Sequence, residues 1–293
     1  MKLKYLAILA FSLHQSVMAA QQFASPEAAG EALLQAAEHK DSKALQQLFG
    51  KNSLDLIRSG DPVADANSYS AFANQYREAH QWTAVSEQRK ILEIGSEQNP
   101  FAIPLVRKNK QWEFDLQAGR AELLTRRIGL NELSTIEAIK SYAAAQREYY
   151  LMQPEGNALL HYADRFASSP DRRDGLYWPA NSGKESPLGP FFASAAKEGY
   201  AKANSPYHGY HFKILKQQGP AAAGGAYQYV ENGKMFGGFA IVAWPANYGN
   251  SGVMSFISNQ DGTIYQRNLG KDSAKMAQKM TSFNPDKSWK IID

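Results

Sequence analysis

The spacing of apolar residues changes period repeatedly along the chain. Up to about residue 80 they recur at helical intervals. Ser25-Pro26-Glu27 opens a first helix: Ser can cap it, Pro fits a turn that needs no N–H, and Glu suits the positive end of the dipole. Ala29, Leu33, Ala36 and Ala37 then share a face. Asp41 can cap a second helix carrying Ala44, Leu45, Leu48 and Phe49, stopped at Gly50. A helical piece follows over 54–58, Gly60-Asp61-Pro62 breaks it, and residues 67–80 form a further helix with Tyr69, Phe72, Ala73 and Tyr76 in register. The period then drops to two. Residues 90–94 read as a strand, and 101–107 pairs with 111–115 about Lys108-Asn109-Lys110, which puts Trp112 and Phe114 on one face.

From residue 118 to 150 the helical period returns. Gly129 marks a break and Asn131 can cap the second segment, in which Leu133, Ile136, Ile139, Ala143 and Tyr150 line one face. Residues 153–190 are a Pro-rich loop region containing a short helix over 158–166, and 191–199 is another helix. Strands follow. Residues 207–215 alternate, Asn232-Gly233 joins 226–230 to 234–244, Gly237-Gly238 signals a bulge or close approach, and 253–258 pairs with 263–266 about Asp261-Gly262. A helix over 272–280 and an edge strand over 288–292 end the chain. The expected class is α+β: N-terminal helices plus a β-hairpin, then a long amphipathic helix packed on a C-terminal antiparallel meander. The expected partition is a signal peptide at 1–19, an N-terminal layer at 20–128, and a helix-plus-sheet unit at 129–293.

The signal peptide rests on Lys2 and Lys4, a nine-residue apolar run over 5–13, and Val17-Met18-Ala19 before a cut at Ala19 or Ala20. That run is too short to span a bilayer, and no later apolar run reaches spanning length. The expected destination is the periplasm or the medium. The chain has no cysteine, which excludes disulfides, thiolate nucleophiles, Cys-zinc sites and iron–sulfur clusters. The net charge of +4 includes Lys2 and Lys4, so the cut chain carries +2, and no basic stripe points to nucleic acid.

Motif chemistry is sparse. His208 and His211, three apart on one strand, face opposite ways and cannot share a metal; no HExxH occurs, and neither metal nor cofactor is expected. Ser194 to Lys197 matches S-x-x-K, but the companion S-D-N and K-T-G motifs are absent. Gly249-Asn250-Ser251-Gly252 is not G-x-S-x-G, and Gly183-Lys184 lacks the rest of a P-loop. Asp171, Asp174 and Glu185 lie near Tyr177 and Trp178 in the loop region, the residue types a glycan site uses. The candidate binding surface is Arg172, Arg173, Asp174, Tyr177 and Trp178, with His208 and Tyr210 beside it.

Three resemblances bear on this reading. The helix at 131–150, PYHGYHFKIL (206–215) and GNSGVMSFISNQDGTIYQ (249–266) are similar to the globular part of type IV pilins and pseudopilins. Pilins also need a prepilin leader and an apolar polymerising helix, which this sequence lacks, so the likeness implies a shared fold and not polymerisation. The helices and hairpin ending in WEFD, over 23–117, resemble the first half of the nuclear-transport-factor-2-like (SnoaL-like) fold. Across nearly the whole chain, blocks such as SGDPVAD (59–65), GRAELLTRRIGLNEL (119–133), RDGLYWP (173–179), PYHGYHFKIL and most of 224–270 resemble an exported bacterial family, domain of unknown function 2950. That resemblance implies an envelope setting and brings no catalytic residues.

The expected function is a non-enzymatic module for cell-envelope interaction or assembly, its partner another envelope or exported protein. The alternatives are a hydrolase of glycan or cell-wall material using Asp171, Asp174 or Glu185, and a small-ligand binder with a pocket behind Trp112 and Phe114. A binding module predicts an exposed aromatic patch at Tyr177 and Trp178.

Overall fold

Ser25 Oγ accepts from Ala28 N and starts α1 (Pro26–Glu38), and Asp41 caps α2 (Ser42–Phe49). After a short α3 (Leu54–Ile57), Asp61 accepts from Val63 N and Ala64 N to start α4 (Pro62–Glu78). The sequence Gly60-Asp61-Pro62, expected to be a breaker, is thus a helix N-terminus, and α4 begins five residues before 67. In this computed structural model the described residues are 20–152, 154, 156, 159–179, 183–200 and 205–292. The expected signal peptide lies outside them.

α4 ends at Glu78 because the chain turns into β1 (His80–Ser86), which pairs along its length with β2 (Arg89–Ile94). β1 escaped the pattern because only Trp82 is even half-buried, so no apolar alternation marks it. β3 (Asn99–Pro100), β4 (Leu105–Lys108) and β5 (Gln111–Phe114) complete an antiparallel sheet in the order β1-β2-β4-β5, with β3 on β2. Asn109 and Lys110 turn between β4 and β5 with φ of 50° and 69°, the left-handed pair that matches strand twist. Trp112 and Phe114 are both buried, as expected. The space behind them is filled: Phe23, Phe49 and Phe101 meet the Phe114 ring edge-on at 6.4, 5.3 and 6.3 Å.

The long helix α5 (Leu116–Met152) is continuous, without the break expected at Gly129. Its 37 residues span roughly 55 Å at 1.5 Å per residue. Its start joins the N-terminal core through Leu116, and Ile139, Tyr142 and Tyr149 join the C-terminal core. Tertiary contact at both ends outweighs the poor helix propensity of one glycine. The buried stripe runs Asn131, Thr135, Ala138, Tyr142, Ala145 and Tyr149, while Leu133 is exposed. The sequence pattern erred there because polar residues occupy the inner face. Each has a partner: Asn131 donates to Ser251 O at 2.8 Å, Thr135 to Asn131 O at 2.8 Å, and Gln146 to Ala163 O at 2.7 Å.

Residues 159–166 form no helix, contrary to expectation; Ala158 lies outside the described residues. The chain here makes isolated bridges to neighbours, Tyr162 to Met235 and Ala167 to Tyr177, with bends at 164–166 between them. α6 (Gly189–Glu198) follows. The C-terminal sheet has the order β14-β13-β12-β11-β6, all antiparallel: β6 (Tyr210–Leu215), β11 (Ala240–Pro245), β12 (Ser255–Asn259), β13 (Ile264–Arg267) and β14 (Lys290–Ile291). Between β6 and β11 lie β7 (Gln217–Gln218), β8 (Tyr227–Gln228), β9 (Val230–Glu231) and β10 (Lys234–Met235), with β9 and β10 joined by the expected Asn232-Gly233 turn. Gly237-Gly238 separates β10 from β11, so the long strand expected over 234–244 is two. α7 (Ser273–Lys279) packs on β11.

β6 begins at Tyr210, not Tyr207. Tyr207 pairs with Tyr210 across a turn in which His208 and Gly209 have φ of 46° and 74°. His208 is therefore a turn residue, and His211 alone is in the strand. A second close approach lies at Gly252, where a Cβ would stand 2.1 Å from the hydroxyl oxygen of fully buried Tyr210. Gly252→Ala should lower stability by about 2–3 kcal/mol through overpacking, read as a shift of the urea midpoint at unchanged slope.

Candidate functional site

The two hydrophobic cores meet at a polar junction built from 55–65, the middle of α5, Tyr200 with the turn at 207–210, and 247–254. Asp61 stands at its centre, buried, with each carboxylate oxygen accepting twice. Oδ1 takes Val63 N and Ala64 N, both at 3.1 Å. Oδ2 takes the Tyr200 hydroxyl at 2.9 Å and Gly209 N at 2.8 Å. One oxygen starts α4 and the other holds the turn into β6. A side chain at Gly209 would put its Cβ 2.6 Å from Asn131 Nδ2, so the turn can lie this close only with glycine.

Arg127 crosses the same junction. Its guanidinium donates to Leu56 O on one side and Asn250 Oδ1 on the other, and Asn250 Nδ2 donates back to Asp55 O at 2.6 Å and Arg58 O at 3.1 Å. Burial pushes the Arg127 guanidinium down from its ordinary value, with the Asp65 carboxylate opposing. Burial likewise pushes Asp65 up, against hydrogen bonds from Ser59. Glu132 Oε1 accepts from Val253 N at 3.0 Å and Met254 N at 2.9 Å, and Tyr210 Oη approaches it at 3.4 Å. Burial and the Glu132 charge push the Tyr210 hydroxyl far above its ordinary value.

The residues singled out from sequence fall into three places. Trp178 is 2% exposed, donates to Lys184 O at 2.7 Å and lies under the Arg173 guanidinium. The exposed patch expected there does not include it. Asp174 belongs to its own loop: Oδ1 accepts from Ser169 N at 2.8 Å, Oδ2 from Ser169 Oγ at 2.9 Å, and Arg165 and Arg172 stand at 3.3 and 3.6 Å. Burial pushes the Asp174 carboxyl up, but the Ser169 hydrogen bonds and the two arginines outweigh it and hold it below the ordinary 3.8. Asp171 and Glu185 are exposed. Tyr210 is buried at the junction.

Tyr177 and His208, by contrast, are joined by a row of half-buried rings. Tyr177 stacks on Phe192 at 4.4 Å, Phe192 meets Phe191 at 6.1 Å, and Phe191 meets Tyr207 at 5.0 Å. Tyr207 meets His208 at 4.3 Å and Tyr200 at 4.9 Å. His208 Nε2 lies 2.9 Å from Glu198 Oε2. Burial, helped by Glu198, pushes the Tyr207 hydroxyl up to about 12. A separate open groove of about 370 Å³ between α1 and α2, lined by Gln21, Gln35, His39, Asp41 and Gln47 among others, shares none of these residues. Among the described residues no group of three or more His, Asp or Glu could hold a metal ion, and no helix is long and apolar enough to cross a membrane.

Sequence reasoning missed Asp61, Arg127, Glu132, Asn250 and the ring row from Phe191 to Tyr207. One signal was available: SGDPVAD, GRAELLTRRIGLNEL, PYHGYHFKIL and the 224–270 stretch each set a glycine beside polar residues, and these are the pieces that converge.

The fold is an α+β protein whose two cores share one helix and are joined by a polar junction centred on buried Asp61. A family model described as "Protein of unknown function (DUF2950)" matches residues 20–292, and the chain belongs to that family. No curated protein and no solved structure matches it, so the comparisons lend no support to the pilin-like and nuclear-transport-factor-2-like resemblances.

Asp61→Asn would point an amide N–H at the Gly209 or Ala64 N–H, two donors facing each other. It should cost about 2–3 kcal/mol in urea unfolding, and combining it with Tyr200→Phe should cost less than the sum of the two. For Asp174 the folded pKa is depressed, so its stabilisation is fully present above pH 3.8 and is lost as pH falls through the lower folded value. Asp174→Asn should cost about 1 kcal/mol near neutrality, and in acid unfolding its difference from wild type should shrink below pH 3.8.

Proposed function

We propose that this chain is an exported protein that works by binding, as an interaction module of the cell envelope. The observation that carries the reading is the ring row from Tyr177 to His208. It is half-exposed, it runs along α6 and the turn into β6, and it is fixed from beneath by the buried junction through Tyr200 and Gly209. Aromatic rings held in place offer contact area at low entropic cost, which is what a binding surface needs. Asp61 has both carboxylate oxygens occupied, each accepting twice, while Glu132 Oε1 accepts from two backbone N–H groups and Arg127 donates to Leu56 O and Asn250 Oδ1. Asp174 is similarly occupied by Ser169.

Export is supported by the basic start, short apolar run and Val17-Met18-Ala19 at the N-terminus. The partner that fits is another envelope or exported protein presenting an apolar or aromatic segment to the row, with Glu198 beside His208 at its margin.

The reading is tested with a photo-crosslinking residue placed at Tyr177 in the full-length protein in growing cells. A discrete adduct in the envelope fraction, lost on Phe192→Ala, is expected. An adduct pattern no different from that of the same probe at exposed Lys51 would refute it. N-terminal sequencing of the protein from the same fraction should begin at Ala20 or Gln21.

A further inference from the structure

The outward face of α5 carries a pattern that neither core explains. Glu122, Arg126, Leu130, Leu133, Glu137 and Lys140 follow one another at intervals of three or four residues and are all exposed. Leu130 and Leu133 are 67% and 62% exposed in the middle of the stripe. The order along the helix is acidic, basic, apolar, apolar, acidic, basic. Reversed, it becomes its own complement. Two such faces laid antiparallel, with a two-fold axis between residues 131 and 132, set Leu130 against Leu133 and Arg126 against Glu137. Glu122 falls within one residue of Lys140. Each contact occurs twice, over roughly 27 Å of helix.

Gly129 borders the leucines. It sits inside a continuous helix where glycine is a poor helix former, and a Cβ there would meet nothing within 4 Å. Among the described residues no contact requires a glycine at this position. A second helix lying close beside the leucines would. Within one chain Arg126 pairs with Glu122 at 2.6 Å and Lys140 with Glu137 at 2.8 Å, both in solvent. Arg126 also donates to Pro100 O at 2.7 Å, an exposed contact. Exposed pairs of this kind are weak, so they can turn to a partner at little cost.

We infer that this face is the interface of a two-fold homodimer whose occupant is a second copy of this chain. Self-complementarity under reversal is a property that only a two-fold partner uses. The interface shares no residue with the ring row, so either reading can fail without the other.

Sedimentation velocity over a concentration series tests it. Wild type should dimerise, and Arg126→Glu should raise the dissociation constant at least about tenfold by facing like charges across the axis. The double variant Arg126→Glu/Glu137→Arg restores opposite charges across the axis while leaving like charges adjacent within the helix. Dimerisation should therefore recover even though the isolated helix is no better off. Leu133→Asp should abolish the dimer, with an unchanged circular-dichroism spectrum showing that the fold is retained. A wild type that stays monomeric throughout the series, a double variant no better than the single one, or a dimer indifferent to Leu133→Asp would each overturn the inference.

Discussion

A buried carboxylate must be paid in hydrogen bonds, and Asp61 receives four. Two come from the first turn of its own helix and two from Tyr200 and Gly209, far along the chain. Removing a carboxylate from water costs several kcal/mol unless its lone pairs are met. The positions of α4, Tyr200 and the turn before β6 are therefore not independent. Once Asp61 is buried, those three elements stand in one relation to each other. Arg127 and Asn250 repeat the device a short way along α5, tying 55–58 to the loop before β12.

This arrangement ties together the two hydrophobic clusters of a cysteine-free chain. Apolar packing holds each cluster, but it is tolerant of sliding. Directional hydrogen bonds between saturated groups are not. The glycines at 209 and 252 fit the same logic. Each lets a backbone segment come within contact distance of a buried polar side chain, Asn131 in one case and the Tyr210 hydroxyl in the other.

Much of the element order was legible in the sequence, because α1, α2, the β4–β5 turn, the Asn232-Gly233 hairpin and the final meander announce themselves by period, cap or turn dipeptide. The failures have physical causes. Asp61-Pro62 is both a plausible break and an ideal helix start, and only the burial of the aspartate decides between them. On α5 the apolar count pointed to Leu133, but the buried stripe contains Asn131, Thr135 and Gln146, whose partners lie in other segments. β1 shows no alternation because it is exposed on nearly every residue. Of the candidate surface, Tyr177 and His208 were legible as aromatic and polar residues beside loops. The rings that connect them, Phe191, Phe192 and Tyr207, are assigned by pattern only to a helix and a strand, because nothing in the sequence sets α6 beside the turn into β6. Trp178 looked like part of a surface and is the floor beneath its own loop.

The two distant partners of Asp61 lie 139 and 148 residues further along the chain. During synthesis that aspartate is made long before Tyr200 and Gly209 exist. α4 can be capped by one oxygen at once, while the other remains in water until the C-terminal half has been delivered. Closing so long a loop is costly in entropy, and non-local contacts of this kind form slowly. The start of α4 thus gains its full set of hydrogen bonds only once Tyr200 and Gly209 have been made, which ties the final stability of the N-terminal layer to a much later part of the chain.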